Sequence, residues 1–242
     1  MAELLCVKDL TKVYGKRGAV TRALDGVDLS LEAGEYVGIM GASGSGKTTL
    51  LNCISTIDRP TSGSIQVDGE ELTGLRGRAL TRFRRERLGF IFQDCNLLDT
   101  LTAFENIALS LSILRTPAAQ IRDRVEETAE LLGIGDCLDK YPYQMSGGQQ
   151  QRCAAARAIV TRPAEPTGAL DSKSSRLLLE RLEVLNRERG ATILMVTHDA
   201  FTASCCRRVV FLRDGKIFAQ LERDGGDRRA FFQQIIRVVT QL

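Results

Sequence analysis

A chain of 242 residues is long enough to bury a sizeable core in one large domain. Hydrophobic residues at 43% and charged residues at 26% exclude disorder and low complexity. Its 33 basic and 30 acidic residues leave a net +3, which gives no reason to expect a nucleic-acid partner.

The chain opens without a basic stretch followed by an apolar one, so no secretory leader is expected. No apolar run approaches the roughly 20 residues that cross a bilayer. Leu5 and Val7 alternate with polar neighbours, as do Val27, Leu29 and Leu31, which predicts strands. Glu35 to Met40 is a short apolar run, read as a buried strand, and it leads straight into a glycine-rich loop. From Lys47 onward, Leu50, Leu51 and Ile54 fall at helical spacing. Ile65 and Val67 form another strand before the turn Asp68-Gly69. The middle is helical: Thr116 is expected as an N-cap with Pro117 at the first helical position. Ile121, Val125, Leu131 and Leu132 make the apolar stripe of that helix, and Gly133 ends it. Ser172 to Arg189 is a second helix, with Leu178, Leu182 and Leu185 on one face and Gly190 as its stop. Thr192 to Thr197 is a buried strand. The order predicts an α/β core interrupted by helices.

Seven cysteines, at 6, 53, 95, 137, 153, 205 and 206, are odd in number and contain no CxxC pair. They are expected as reduced, mostly buried thiols, including the adjacent Cys205 and Cys206, with neither a metal site nor a disulfide framework.

Gly41-Ala42-Ser43-Gly44-Ser45-Gly46-Lys47-Thr48 matches G-x-x-x-x-G-K-[ST] between a buried strand and an amphipathic helix. Its glycines let backbone N–H groups converge on a phosphate, and the helix adds the positive end of its dipole. Lys47 is placed on the β- and γ-phosphates, Thr48 on Mg²⁺, and Thr49 completes the nucleotide-binding stretch.

Met145-Ser146-Gly147-Gly148-Gln149-Gln150-Gln151-Arg152 resembles the signature motif of ABC ATPases, with methionine where leucine is usual. The other elements of that family follow in order over essentially the whole chain. Tyr14 matches the aromatic residue that stacks on adenine, and Gln93 matches the Q-loop, a second Mg²⁺ contact. Asp171, in Ala169-Leu170-Asp171, matches the D-loop. His198, the one histidine of the chain, matches the switch histidine after a buried strand.

The resemblance implies a single ABC ATPase domain over 1–242. It would be an α/β P-loop core with a parallel sheet, an N-terminal antiparallel β subdomain and a helical subdomain inserted at about 95–150. ATP and Mg²⁺ are the implied cofactors. The helix after the signature is expected near Gln149, so that Ser146, Gly147, Gly148 and Gln149 present a hydroxyl and N–H groups to the ATP held by a second copy of the chain. Hydrolysis, with Glu165, Gln93 and His198 in catalytic roles, would release that head-to-tail dimer. A permease is the implied partner, which places the chain peripherally at the cytoplasmic face of the membrane.

Phe90 to Ile107, FIFQDCNLLDTLTAFENI, resembles the Lol/Mac-type branch. Gly168 to Ser175, GALDSKSS, and Asp227 to Ile235, DRRAFFQQI, resemble its Bce-type members. Those confer resistance to bacitracin-like peptides and signal through the permease to a sensor histidine kinase. A lipoprotein- or macrolide-type transporter of the same branch and a non-transport ATP clamp on a membrane regulator are the alternatives. A GTPase is disfavoured, because no N/T-K-x-D motif is present. The arginines 76, 78, 82, 84, 85 and 87 are read as a solvated helix face rather than a contact with anionic lipid or the permease.

One departure from the family stands out. Before the catalytic glutamate the family has an apolar strand ending in the aspartate that positions Mg²⁺. Here the chain reads Thr161-Arg162-Pro163-Ala164-Glu165. A five-residue strand spans about 16 Å at 3.3 Å per residue. Arg162 to Ala164 cannot carry Glu165 from the bottom of the sheet to its top. A central strand is therefore expected to be missing. The chain is either a variant without it or lacks a few residues that the natural pattern holds, and the second reading is preferred.

Overall fold

The structure, a computed structural model, describes residues 3–15, 19–91, 95–161, 165–169, 176–223, 225 and 227–242. Strands β1 (Glu3–Tyr14) and β2 (Thr21–Glu32) pair antiparallel, with Leu5 opposite Leu31 and Val7 opposite Leu29. Their apolar positions point to one side and are buried, as the period of two requires. The buried strand β3 (Tyr36–Met40) runs through the phosphate loop into α1 (Lys47–Ile54). β4 (Ser62–Val67) and β5 (Glu70–Glu71) complete a four-stranded sheet in the order β2-β1-β4-β5. Asp68 and Gly69 both have positive φ in the turn between them.

Helix α2 (Gly77–Arg87) buries Phe83, leads into β6 (Leu88–Ile91) and carries the arginine run. Arg84 is bonded to Thr56 and Arg87 pairs with Asp68 at 3.0 Å, while Arg78 and Arg82 are exposed. Next come α3 (Ala103–Ile113), α4 (Ala118–Leu131) and α5 (Gly147–Ile159). Thr116 is not the N-cap of α4. Its amide closes the preceding helix on the Leu111 carbonyl at 3.0 Å, and Pro117 itself stands at the cap in an extended conformation. The chain then forms β7 (Glu165–Ala169), α6 (Arg176–Arg189), β8 (Ile193–Val196), α7 (Ala200–Ala203), β9 (Arg208–Arg213), β10 (Lys216–Glu222) and α8 (Arg228–Val239). Residues 172–175, expected to begin the helix that ends at Arg189, lie outside the described residues.

The central sheet has the order β10-β9-β3-β8-β7-β6; all neighbours are parallel except β10 on β9. Alternation along β3 divides the core. Tyr36 and Met40 pack with α3, α5 and α6, whereas Val37 and Ile39 pack with α1 and the N-terminal sheet. Each such fully buried side chain contributes about 1.5–3 kcal/mol. This is the α/β arrangement expected, with an antiparallel β unit on one side and helices between β6 and β7. Among the described residues no helix is long and apolar enough to cross a membrane.

The expected gap in the sheet is not found. Glu165–Ala169 fills it, with Leu88 opposite Glu165 on one side and Ala169 opposite Val196 on the other. Unpaired backbone groups between β6 and β8 would be costly, so the chain enlists the next residues it has. They are poor strand formers: Pro166 has no N–H to give the ladder.

Candidate functional site

The parallel sheet gathers the site at the ends of its strands. β3 stops at Met40, and the loop Gly41 to Gly46 follows immediately. Gly41 has φ 154° and Gly46 has φ 102°. A Cβ at either would overlap backbone, the Leu212 carbonyl at the first and the Ala23 carbonyl at the second. A Cβ at Gly44 would meet only open space. The loop is therefore packed on its inner side against β9 and β2 and is bare on the other. The amide of Gly215 donates to the Ser45 carbonyl at 3.1 Å, and the Gly215 carbonyl accepts from Asp25 at 2.9 Å, so the β9–β10 turn holds the loop from outside.

Helix α1 begins after Gly46 with no side-chain cap and no acidic residue in its first turn. Its leading N–H groups and dipole end face the bare side, which suits an anion. Lys47 donates to the carbonyls of Gly41 and Ala42 at 2.8 and 2.7 Å and to Ser45 Oγ at 3.4 Å. Burial lowers its pKa from the usual lysine range. A backbone-lined cradle, an uncapped helix start and a central ammonium fit a nucleotide's phosphates. Ala42, Ser43 and Thr48 are exposed at the rim, and Thr49 is half-buried.

Tyr14 ends β1 close to α1. Its phenol donates to Asp58 Oδ2 at 2.7 Å. Burial and the Asp58 bond raise the phenol's pKa. Tyr14 is 39% exposed, which leaves surface for stacking.

Thr197 donates its amide to the Ile39 carbonyl at 3.0 Å, so β8 ends level with β3. The exposed His198 follows, at the height where the phosphate loop starts. Asp199 fixes the chain beyond it by capping α7, accepting from the amide of Thr202 at 2.8 Å and its hydroxyl at 2.5 Å.

The signature stands at the start of α5, two residues earlier than the sequence suggested. Ser146 is the N-cap: its Oγ accepts from the Gln149 amide at 3.3 Å, while Gln149 Oε1 accepts from the Ser146 amide at 2.8 Å. Ser146 and Gly147 are exposed, Gly148 and Gln149 are half-buried, and a Cβ on Gly147 would meet nothing. The capping box moves the helix start forward because Gln149 satisfies the amide that precedes it.

Gln93 and Asp171 lie outside the described residues. Glu165 needs a correction. Its backbone is at the foot of β7, four positions below Ala169, which is level with Val196 and Ile39. That is about 13 Å from the strand's upper end at 3.3 Å per residue. The carboxylate's residue is thus not at the phosphate end of the sheet, because β7 starts where the family's strand would start.

Sequence reasoning missed Arg157. From α5 it donates to the carbonyls of Cys95 and Asn96 at 2.9 and 2.7 Å. Both residues have positive φ, 59° and 45°. The guanidinium holds the stretch just after Gln93 against the helix that the signature begins, and only a three-dimensional contact could show it.

No group of His, Cys, Asp and Glu among the described residues could hold a metal ion. None of the seven cysteines is in a disulfide, and all but Cys6 are buried.

Comparison with known proteins gives a consistent picture. The family model described as ABC transporter matches residues 24–164, ending one residue before Glu165. The chain is 48% identical to the bacitracin export ATP-binding protein BceA of Halalkalibacterium halodurans, over 97% of this chain and 94% of that protein. It is 47% identical to the ABC transporter ATP-binding protein YxdL of Bacillus subtilis, over 100% of this chain and 95% of the relative. That alignment runs over 248 positions against the 242 residues of this chain, so at least six positions of the relative have no counterpart here. Among solved structures, the dimeric ATP-binding cassette MJ0796 bound to ADP and Pi superposes with a TM-score of 0.84 at 36% identity, covering 90% of this chain and 98% of the cassette.

Proposed function

We propose that this chain, which belongs to the ABC transporter family and is the ATP-binding subunit of such a transporter, drives export of a bacitracin-like peptide antibiotic. The observation that carries the substrate class is the full-length likeness to the bacitracin export protein. The chain sits peripherally at the cytoplasmic face, docked on a permease that selects the peptide and relays its presence to a sensor histidine kinase.

The loop amides and Lys47 hold the phosphates, with Thr49 and Tyr14 on the nucleoside side and the Tyr14 ring under adenine. Ser146 and Gly147 of a second copy close over the γ-phosphate with a hydroxyl and the start of α5. Asp171 and His198 lie at that same junction in the family. Thr48 and Gln93 would hold Mg²⁺, which would neutralise phosphate charge there. Two ATP molecules then bridge two chains head to tail, and dimer closure is the stroke passed to the permease.

Water activation is the weak step in this chain. The residues directly before Glu165, Thr161 to Ala164, include no aspartate, and β7 starts at Glu165 rather than ending there. The chain as it stands is therefore a better ATP-dependent clamp than a hydrolase.

The test of the substrate class is deletion of the gene in its native host, followed by bacitracin susceptibility and permease co-purification. Raised susceptibility on deletion, with resistance restored by the intact gene, supports the reading. Unchanged susceptibility with an intact permease complex would assign the chain to another substrate.

A further inference from the structure

Lys12 and Tyr14 are two apart on β1, and both side chains reach Asp58. The Lys12 ammonium lies 4.7 Å from the centre of the Tyr14 ring. It also contacts Asp58 Oδ1 at 2.7 Å and the Arg59 carbonyl at 2.6 Å. The other oxygen of the same carboxylate accepts the Tyr14 phenol at 2.7 Å. One carboxylate thus ties both side chains into a closed triangle, and Lys12 donates two hydrogen bonds beside its contact with the ring. Lys12 is 12% exposed and Asp58 30% at the side chain. Burial opposes ionisation of Asp58, but the bonds from Lys12 and Tyr14 hold its carboxyl below the usual range.

We infer that Lys12 and Asp58 are positioning residues for the nucleotide base, forming a bracket that fixes the Tyr14 ring and leaves it one face for stacking. This rests on the reading of Tyr14 as the adenine platform. A ring has two faces, and the ammonium occupies one. Its charge draws on the ring's π-density and lessens the repulsion that a second π-system meets on the opposite face. The Asp58 bond stops the ring from turning, so little side-chain freedom remains to be lost when the base arrives. Lys12 is tied to Asp58 and Arg59 rather than to the phosphate loop, and acts through Tyr14.

The experiment titrates the full chain with ATP, GTP and inorganic tripolyphosphate. Lys12→Met and Asp58→Ala should each weaken ATP about fivefold to tenfold, the size of one partly exposed cation–π contact. GTP should weaken in parallel, because every base offers a π-face. Tripolyphosphate affinity should not change, which also shows that the variants are folded. Lys12→Arg should restore most of the loss. In a Tyr14→Ala background, Lys12→Met should add nothing. Lys12→Met with unchanged ATP affinity, an equal loss for tripolyphosphate, or a full additional loss in the absence of Tyr14 would each overturn the bracket. Unchanged ATP affinity in Tyr14→Ala alone would instead overturn the platform reading.

Discussion

The ammonium of Lys47 donates to the carbonyl of Gly41 at 2.8 Å, so the cation at the centre of the phosphate loop is anchored on the loop's own first residue. It organises the loop and attracts the phosphates with the same atom. Lys47→Ala should weaken ATP about a hundredfold, the loss of charge-assisted bonds to two phosphates. Nucleotide titration of the purified variant checks this, and unchanged affinity would remove Lys47 from the role.

Ser146 caps α5 and is exposed beside a glycine with open space around it. Ser146→Arg should cost about 1 kcal/mol of stability through the lost cap. It should leave ATP binding to one chain intact and fill the space that a second chain's ATP must enter. Light scattering with ATP should show monomer only. A normal ATP-dependent dimer would refute the two-chain site.

The buried thiols should be inert. Burial pushes Cys53 and Cys205 from the ordinary 9.0 to about 11 and Cys153 to about 12, with Cys206 well above the ordinary value. Disulfide-exchange titration at pH 8 should find Cys6 alone reacting quickly in the native chain and all seven after denaturation. Two or more fast native thiols would contradict the packing. Because the folded chain holds these protons more tightly, the stability they contribute is complete below pH 9 and declines as pH rises through about 11. Thermal melts from pH 8 to 11 should show that decline.

Restoring the strand should restore the chemistry. Inserting an apolar stretch ending in aspartate between Ala164 and Glu165 should lift Glu165 from the foot of the sheet to its upper end. Mg²⁺-dependent phosphate release should then rise by at least about a hundredfold, the contribution typical of a general base. In that background Glu165→Gln should trap an ATP-bound dimer, and His198→Ala should slow release with little change in ATP affinity. Brisk hydrolysis by the chain of 242 residues without the insertion would refute this account of β7.

The phosphate loop, the signature and the strand before His198 were legible in the sequence because each is local. A glycine spacing, a capping box or an apolar run acts within a few residues, and its chemistry travels with it. Even the departure before Glu165 was legible, as a run too short to span the sheet. How the protein accommodates that shortage was not. Only the assembled sheet, which must pair the backbone of β6 and β8, decides that Glu165–Ala169 becomes the strand and that Glu165 falls to its foot. The bracket on Tyr14 is likewise tertiary, since Asp58 is 44 residues away along the chain. So is the grip of Arg157 on Cys95, across 62 residues. Pairing across a sheet and contacts between distant residues are collective: they depend on which groups the whole fold leaves unsatisfied, and no window of sequence contains that information.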